Sequence, residues 1–217
     1  MNAIGNIFLT WRAGKGNRRI PIGVIKKNAT DGIRFQYISK GIDEAKKYGF
    51  TTYESFPDIT KEYSKDVIEI FGKRIVNTER NDLQSFYEFW KIDTQYKDDK
   101  FYMLAYTQGM LPIDNFEFLA DFNPVRNLSF ITEISGLSIY KHSPDILSIG
   151  DNLSYELESS NDFDEKAVKV FKDNIEIGYI KMIHSKVFYK TKAILKITVH
   201  HIEKNGHLNR VFVNVYL

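Results

Sequence analysis

The strongest constraint on the fold sits at the end of the chain. Ala193 to Ile202 and Leu208 to Leu217 flank Asn205-Gly206, a dipeptide suited to the positive φ values of a tight hairpin turn. In the first arm Leu195, Ile197 and Val199 alternate with Lys196, Thr198 and His200. Successive side chains of a strand point to opposite faces, so this pattern commits one face to a core and the other to solvent. The same period recurs upstream. Leu153 to Leu157, Ala167 to Phe171 and Ile175 to Ile180 read as short strands. Leu128 to Tyr140 reads as a long strand bent at Gly136, and Lys181 to Tyr189 as a helix. Five or six strands with one helix predict a small, partly open β-barrel.

The first half of the chain is organised differently. Ile7 to Trp11, Ile20 to Ile25 and Ile33 to Tyr37 predict a three-stranded meander, with Asp31-Gly32 as a turn signal. Asp43 to Tyr48 is a short helix that stops at Gly49. Ser64 is a candidate N-cap ahead of Val67, Ile70, Phe71 and Ile75. Asp82 is a second candidate cap, ahead of Leu83, Phe86, Tyr87 and Trp90 on one helical face. Lys100 to Thr107 is a third helix closed by Gly109, and Phe116 to Leu119 a closing strand. Asn123-Pro124 marks a linker. The expected class is therefore α+β. An N-terminal β-meander with helices spans residues 1–122, and the small barrel spans residues 127–217.

A hydrophobic content of 43% over 217 residues is enough for packed cores. The absence of cysteine excludes a disulfide framework and any thiolate metal site, and suits a reducing cytoplasm. The segment Met1-Asn2-Ala3-Ile4-Gly5-Asn6 lacks the basic and apolar stretches of a signal peptide. No apolar run approaches the length of a membrane helix. A soluble, cytoplasmic protein without a membrane partner is the expectation. Charge is uneven. Asp145 to Glu165 holds seven acidic residues and no Lys or Arg, whereas Lys166 to Leu217 holds ten Lys or Arg against three acidic residues. Such a basic tail either tracks a phosphate backbone or solvates strand faces and blunts sheet edges.

The richest segment is Ile134-Ser135-Gly136-Leu137, then Gly150-Asp151-Asn152-Leu153, then Asn161 to Val170, then Ile177-Gly178-Tyr179-Ile180. Four pieces in this order resemble the HIRAN family: an opening glycine strand with a following tyrosine, a GD turn, an N-x-x-D-x-x-A-V-x-V core and an IGY element. The resemblance implies an OB-like barrel that holds single-stranded DNA or a DNA 3′ end. It implies Asn161, Asp164 and Tyr140 as pocket residues, with Tyr179 at the IGY position. By their chemistry Tyr140, Phe163 and Tyr179 can stack a base and Lys181 can meet a phosphate. Ser138-Ile139 stand where the family's DNA-end pocket has Arg-Tyr, so one phosphate contact and one stacking face are missing, and Met182 stands where it has Lys. Each residue also suits a plain structural role. Asp164 can cap its own turn, and Tyr140, Phe163 and Tyr179 can be packing residues.

Phe8-Leu9-Thr10-Trp11, Ile22-Gly23-Val24-Ile25-Lys26, Ile33 to Ile38 and Phe71 to Asn77 resemble the N-terminal subdomain of HipA-like kinases of bacteria. The likeness spans residues 6 to 120. The kinase body is absent: Gly14-x-Gly16 lacks a third glycine, and no catalytic Asp stands in kinase context. The resemblance implies a domain that recruits a protein partner, a HipA-like kinase or a helix-turn-helix protein, as in toxin-antitoxin systems. The chain shows no HExxH, no G-x-S-x-G and no ligand-spaced cluster among His142, His184, His200, His201 and His207. Asp58, Glu62, Asp66 and Glu69 read as a solvated helix face. No catalytic residue, cofactor or metal is expected. The two readings are a DNA-binding accessory protein and an antitoxin or regulator of a separately encoded kinase.

Overall fold

The computed structural model describes residues 3–75, 83–112 and 114–217. The candidate cap Asp82, and Val76 and Asn77, lie outside the described residues. The chain forms two compact units, Ile4–Asp121 and Phe122–Leu217, the second joined by Ala3, whose carbonyl accepts from Asn123 N–H at 2.8 Å. The class is α+β.

The N-terminal unit runs β1 (Ile4–Trp11), β2 (Ile20–Asn28), β3 (Gly32–Tyr37), α1 (Ser39–Lys46), β4 (Glu62–Tyr63), α2 (Val67–Gly72), α3 (Leu83–Trp90), α4 (Lys100–Thr107) and β5 (Phe116–Phe122), whose last residue begins the second unit. Its sheet has the order β4-β3-β2-β1-β5. Period two decides which side chains enter the core. Phe35 and Tyr37 are buried while Gln36 between them is exposed. The Phe35 ring meets Phe56 at 5.0 Å and Phe71 at 5.1 Å. Each such ring, fully buried, contributes about 1.5–3 kcal/mol relative to exposure. On α3, Tyr87 and Trp90 are buried as the helical spacing predicts. Asp99 caps α4 by accepting from Phe101 and Tyr102 N–H.

Three expectations change here. Helix α1 starts at Ser39, because burial of Ile42 and Ala45 carries it through Gly41. The residue before α2 is Asp66, in a left-handed conformation with no side-chain cap bond, so Ser64 does not cap. The four carboxylates do not share a helix face: Asp58 caps a turn by accepting from Thr60, and Glu62 on β4 pairs with Arg34 at 2.8 Å.

The C-terminal unit runs β6 (Ser129–Ser135), α5 (Leu137–Tyr140), β7 (Asn152–Glu158), β8 (Ala167–Lys172), β9 (Ile175–Ile180), α6 (Lys186–Tyr189), β10 (Lys196–Lys204) and β11 (Leu208–Tyr216). The strands form a closed barrel, β10-β11-β6-β9-β8-β7, rather than a partly open one, with two short helices rather than one. Val168, Val170, Ile177, Ile197, Val199, Val211, Val213 and Val215 fill its interior. Pairing within β10-β11-β6 and within β9-β8-β7 is extensive. The two triplets meet at short seams. One is Ile134↔Ile180 and Ser135↔Tyr179. The other is Ile197↔Leu153 and Thr198↔Asn152, extended by two backbone bonds of 2.8 Å linking Val199 to Gly150 and Asp151.

Three local readings are corrected. The strand through Leu128 to Tyr140 stops at Ser135. Gly136, at φ +85°, turns the chain into α5, which puts Tyr140 at the end of a helical turn. The helix over Lys181 to Tyr189 shrinks to Lys186–Tyr189, since Ile183 at φ +73° is incompatible with a right-handed turn. A bulge between Val199 and His201 interrupts at His200 the alternation that runs from Leu195 through β10. No helix among the described residues is long and apolar enough to cross a membrane.

Candidate functional site

Outward positions on β7, β8 and β9 build one polar face. Lys169 lies opposite Tyr179 across β8 and β9, and opposite Glu156 across β7 and β8. Glu158, two residues beyond Glu156, shares that face by the period of two. The Lys169 ammonium sits 2.7 Å from Glu158 Oε1 and 3.5 Å from Glu176 Oε1, and 5.8 Å above the Tyr179 ring.

Tyr140 reaches this face from α5. Its hydroxyl donates to Glu176 Oε1, and it also interacts with the Tyr179 hydroxyl, which interacts in turn with Glu158. Gly136 lies beside both rings. A Cβ there would lie 3.8 Å from Tyr179 Cδ2 and 4.0 Å from Tyr140 Cε2. Gly178 brings β9 against β6: a Cβ at this position would sit 2.3 Å from the Ser135 carbonyl oxygen. The glycine of the IGY element therefore serves close strand approach, and its tyrosine faces outward onto the site.

The loop from Asn161 to Asp164 borders the same face. Asn161 Nδ2 donates to Glu158 Oε2 at 2.8 Å. Asn161 Oδ1 accepts from Phe163 N–H at 3.0 Å and Asp164 N–H at 3.2 Å. Asp164 Oδ1 accepts from Lys166 N–H at 2.9 Å, and Oδ2 from Ser185 Oγ at 3.4 Å. Both residues thus shape the turn as well as bordering the site. The loop presents Phe163, 69% exposed, to solvent. That exposure is unlike a core residue.

Electrostatics fix the protonation states. Burial first, then bonds to Glu176 and Tyr179, hold the Tyr140 phenol well above its ordinary range. Burial and Glu158 raise Tyr179 likewise. Lys169 lowers Glu158, with Asn161 adding to it, and Glu158 raises Lys169. The phenols are neutral donors, Lys169 is a cation, and two carboxylates surround it. This face suits hydroxyl and aromatic groups better than a phosphate.

Lys181 departs from its expected role. It is 3% exposed, and its ammonium lies 3.0 Å from Glu133 Oε2. Arg210 donates to the same carboxylate from Nε at 2.9 Å and Nη2 at 3.2 Å. Burial pushes the Glu133 carboxyl up, but Lys181 and Arg210 together pull it well below the usual carboxylate range. A lysine committed in this way inside the barrel wall offers nothing to a phosphate outside. Exposed Lys141 and Lys166, beside Tyr140 and Asp164 in sequence, are the better placed cations.

Five of the six expected residues, Tyr140, Asn161, Phe163, Asp164 and Tyr179, border one face, and Lys181 does not. Glu158, Lys169, Glu176 and His142 were missed. Lys169 is the outward position of the A-V-x-V core and was legible from period two, whereas the other three depend on cross-strand neighbours. A hollow of about 330 Å³ in the N-terminal unit, lined by Gln36, Tyr37, Ser39, Ile42, Asp43, Ile59 and Thr60, holds none of the expected residues.

No protein-family model and no curated protein matches the chain. Two solved structures are similar to it. One is the crystal structure of the HIRAN domain of human HLTF, at 16% identity, covering 41% of this chain and 74% of that one, with a TM-score of 0.33. The other is a Lactobacillus plantarum protein, at 17% identity, covering 42% of this chain and 93% of that one, with a TM-score of 0.34. Similarity this low leaves the site to be argued from its own residues.

Proposed function

We propose that the C-terminal barrel is a non-catalytic module that binds the end of a nucleic-acid single strand, with DNA bearing a free 3′-hydroxyl as its preferred form. One observation carries this reading. Tyr140 and Tyr179, from two different elements, converge at Gly136 beside the Asn161–Asp164 loop, with their hydroxyls in the Glu158–Glu176 network. The HIRAN-like motif order in the sequence supports it. Aromatic rings stack a base, typically for about 1–3 kcal/mol. Carboxylate acceptors suit a sugar hydroxyl and repel a terminal phosphate. Exposed Lys141 and Lys166 supply charge for the strand behind the end.

The test is fluorescence anisotropy with the full chain and short single strands ending in 3′-hydroxyl or 3′-phosphate, over a salt series. The expected result is tighter binding of the hydroxyl end, weakening with salt. Equal binding of both ends, or no binding at low salt, overturns the reading. RNA strands in the same series decide the sugar.

For the N-terminal unit the proposed role is recruitment of a protein partner. The resemblance of its sequence segments to HipA-like kinases is what suggests a HipA-like kinase as that partner. Co-purification of residues 1–217 with a neighbouring kinase tests this alternative.

A further inference from the structure

The stacking of Tyr140 has a second member that no motif in the sequence assigns. The His142 ring lies parallel to the Tyr140 ring, with 4° between the planes and 5.6 Å between centroids. Local backbone geometry produces this pairing. Lys141 ends α5 in the left-handed conformation, at φ 47° and ψ 41°, so the chain reverses and the residue after it returns alongside Tyr140.

His142 is also held from β9. Its Nε2 lies 2.6 Å from the Glu176 carbonyl oxygen. A carbonyl oxygen only accepts, so Nε2 carries the proton and donates. The same residue, through its carboxylate, accepts from the Tyr140 hydroxyl. Glu176 therefore fixes both rings, one by its backbone and one by its side chain. Tyr140 is gripped at its hydroxyl and backed on one face.

We propose that His142 is a positioning residue of the binding site: its imidazole backs the Tyr140 ring, so that the opposite face of the tyrosine is presented to a terminal nucleobase. This rests on the nucleic-acid reading above and deepens it. A phenol on a four-residue helical turn has rotamer freedom to lose on binding. A flanking ring removes that freedom beforehand.

The experiment uses the full chain and a single-stranded DNA with 2-aminopurine as its 3′-terminal base and a free 3′-hydroxyl. Anisotropy reports affinity, and quenching of 2-aminopurine reports stacking. His142→Ala is expected to weaken binding about fivefold and to reduce quenching. His142→Phe, which restores a flat ring without the Nε2 donor, is expected to return affinity to within about twofold of the parent, and His142→Gln is not. In a Tyr140→Ala background, His142→Ala is expected to cost nothing further, because it acts through that ring. Thermal unfolding of each variant separates lost positioning from lost fold. Parent-like binding by His142→Ala, or full additivity of the two alanine changes, overturns the positioning role while leaving the nucleic-acid reading standing. No binding by the parent chain overturns both.

Discussion

The barrel contains two ion clusters of the same chemistry and opposite design. In the inner one, the Glu133 carboxylate lies between two cations, Lys181, whose side chain is 4% exposed, and Arg210, which at 31% exposure also reaches Glu203 at 3.4 Å. In the outer one, two carboxylates, Glu158 and Glu176, flank a single cation, Lys169, and all three are partly open to solvent. The inner cluster satisfies itself, so opening it costs the desolvation of a buried charge. The outer one has two carboxylates for one cation and is more open to solvent, so each of its pairs contributes little. Burial of Lys181 and Glu133, rather than residue type, separates the structural cluster from the more open one.

The largest test of this contrast is Lys181→Met. It strands the Glu133 carboxylate with Arg210 alone and is expected to cost about 3 kcal/mol in urea unfolding. Lys169→Met is expected to cost under about 1 kcal/mol. Equal losses would erase the distinction. Next comes Tyr140→Ala, expected to weaken binding of a 3′-hydroxyl strand about tenfold. A stability loss as large as that of Lys181→Met would instead make Tyr140 a core residue.

Acid sharpens the comparison further. Glu133 has a depressed folded pKa, so its contribution is fully present above the ordinary carboxylate range, near pH 4, and is lost as pH falls through the folded value. His184, fully buried, is held well below its ordinary range by burial and then by Lys181. The unfolded chain therefore protonates it first, and stability begins to fall below about pH 6.5. Glu133→Gln should flatten the lower part of that decline in chemical unfolding, and Glu158→Gln, whose lowered carboxyl is more open to solvent, should flatten it less. The smallest effect is electrostatic: Lys141→Ala and Lys166→Ala should each reduce the salt slope of binding by about one. An unchanged slope would put the strand's path elsewhere.

The sequence made the strands legible because their pattern is local. Leu195, Ile197 and Val199 are buried as alternation predicts. Closure of the barrel was not legible, since it depends on a brief pairing of β7 with β10 between distant segments. The fate of Lys181 was hidden for a similar reason: its burial makes sense only once Glu133 and Arg210 arrive from β6 and β11. Tyr140 was found as a residue but misplaced on a strand, because a glycine in a β-like run reads equally as a bend or as a stop. Glu176 carried no signal, and its value comes from touching Tyr140, His142 and Lys169 at once.

The seam between β6 and β9 gives the site a mechanical meaning. Tyr140 hangs from the end of β6, on one triplet of strands, and Tyr179 belongs to β9, on the other. The strand pairing between β6 and β9 there is Ile134↔Ile180 and Ser135↔Tyr179. On the proposed function, a nucleotide that contacts both tyrosines would clasp the barrel across this short seam. Its binding should slow hydrogen exchange at the backbone amides of that seam more than anywhere else in the barrel.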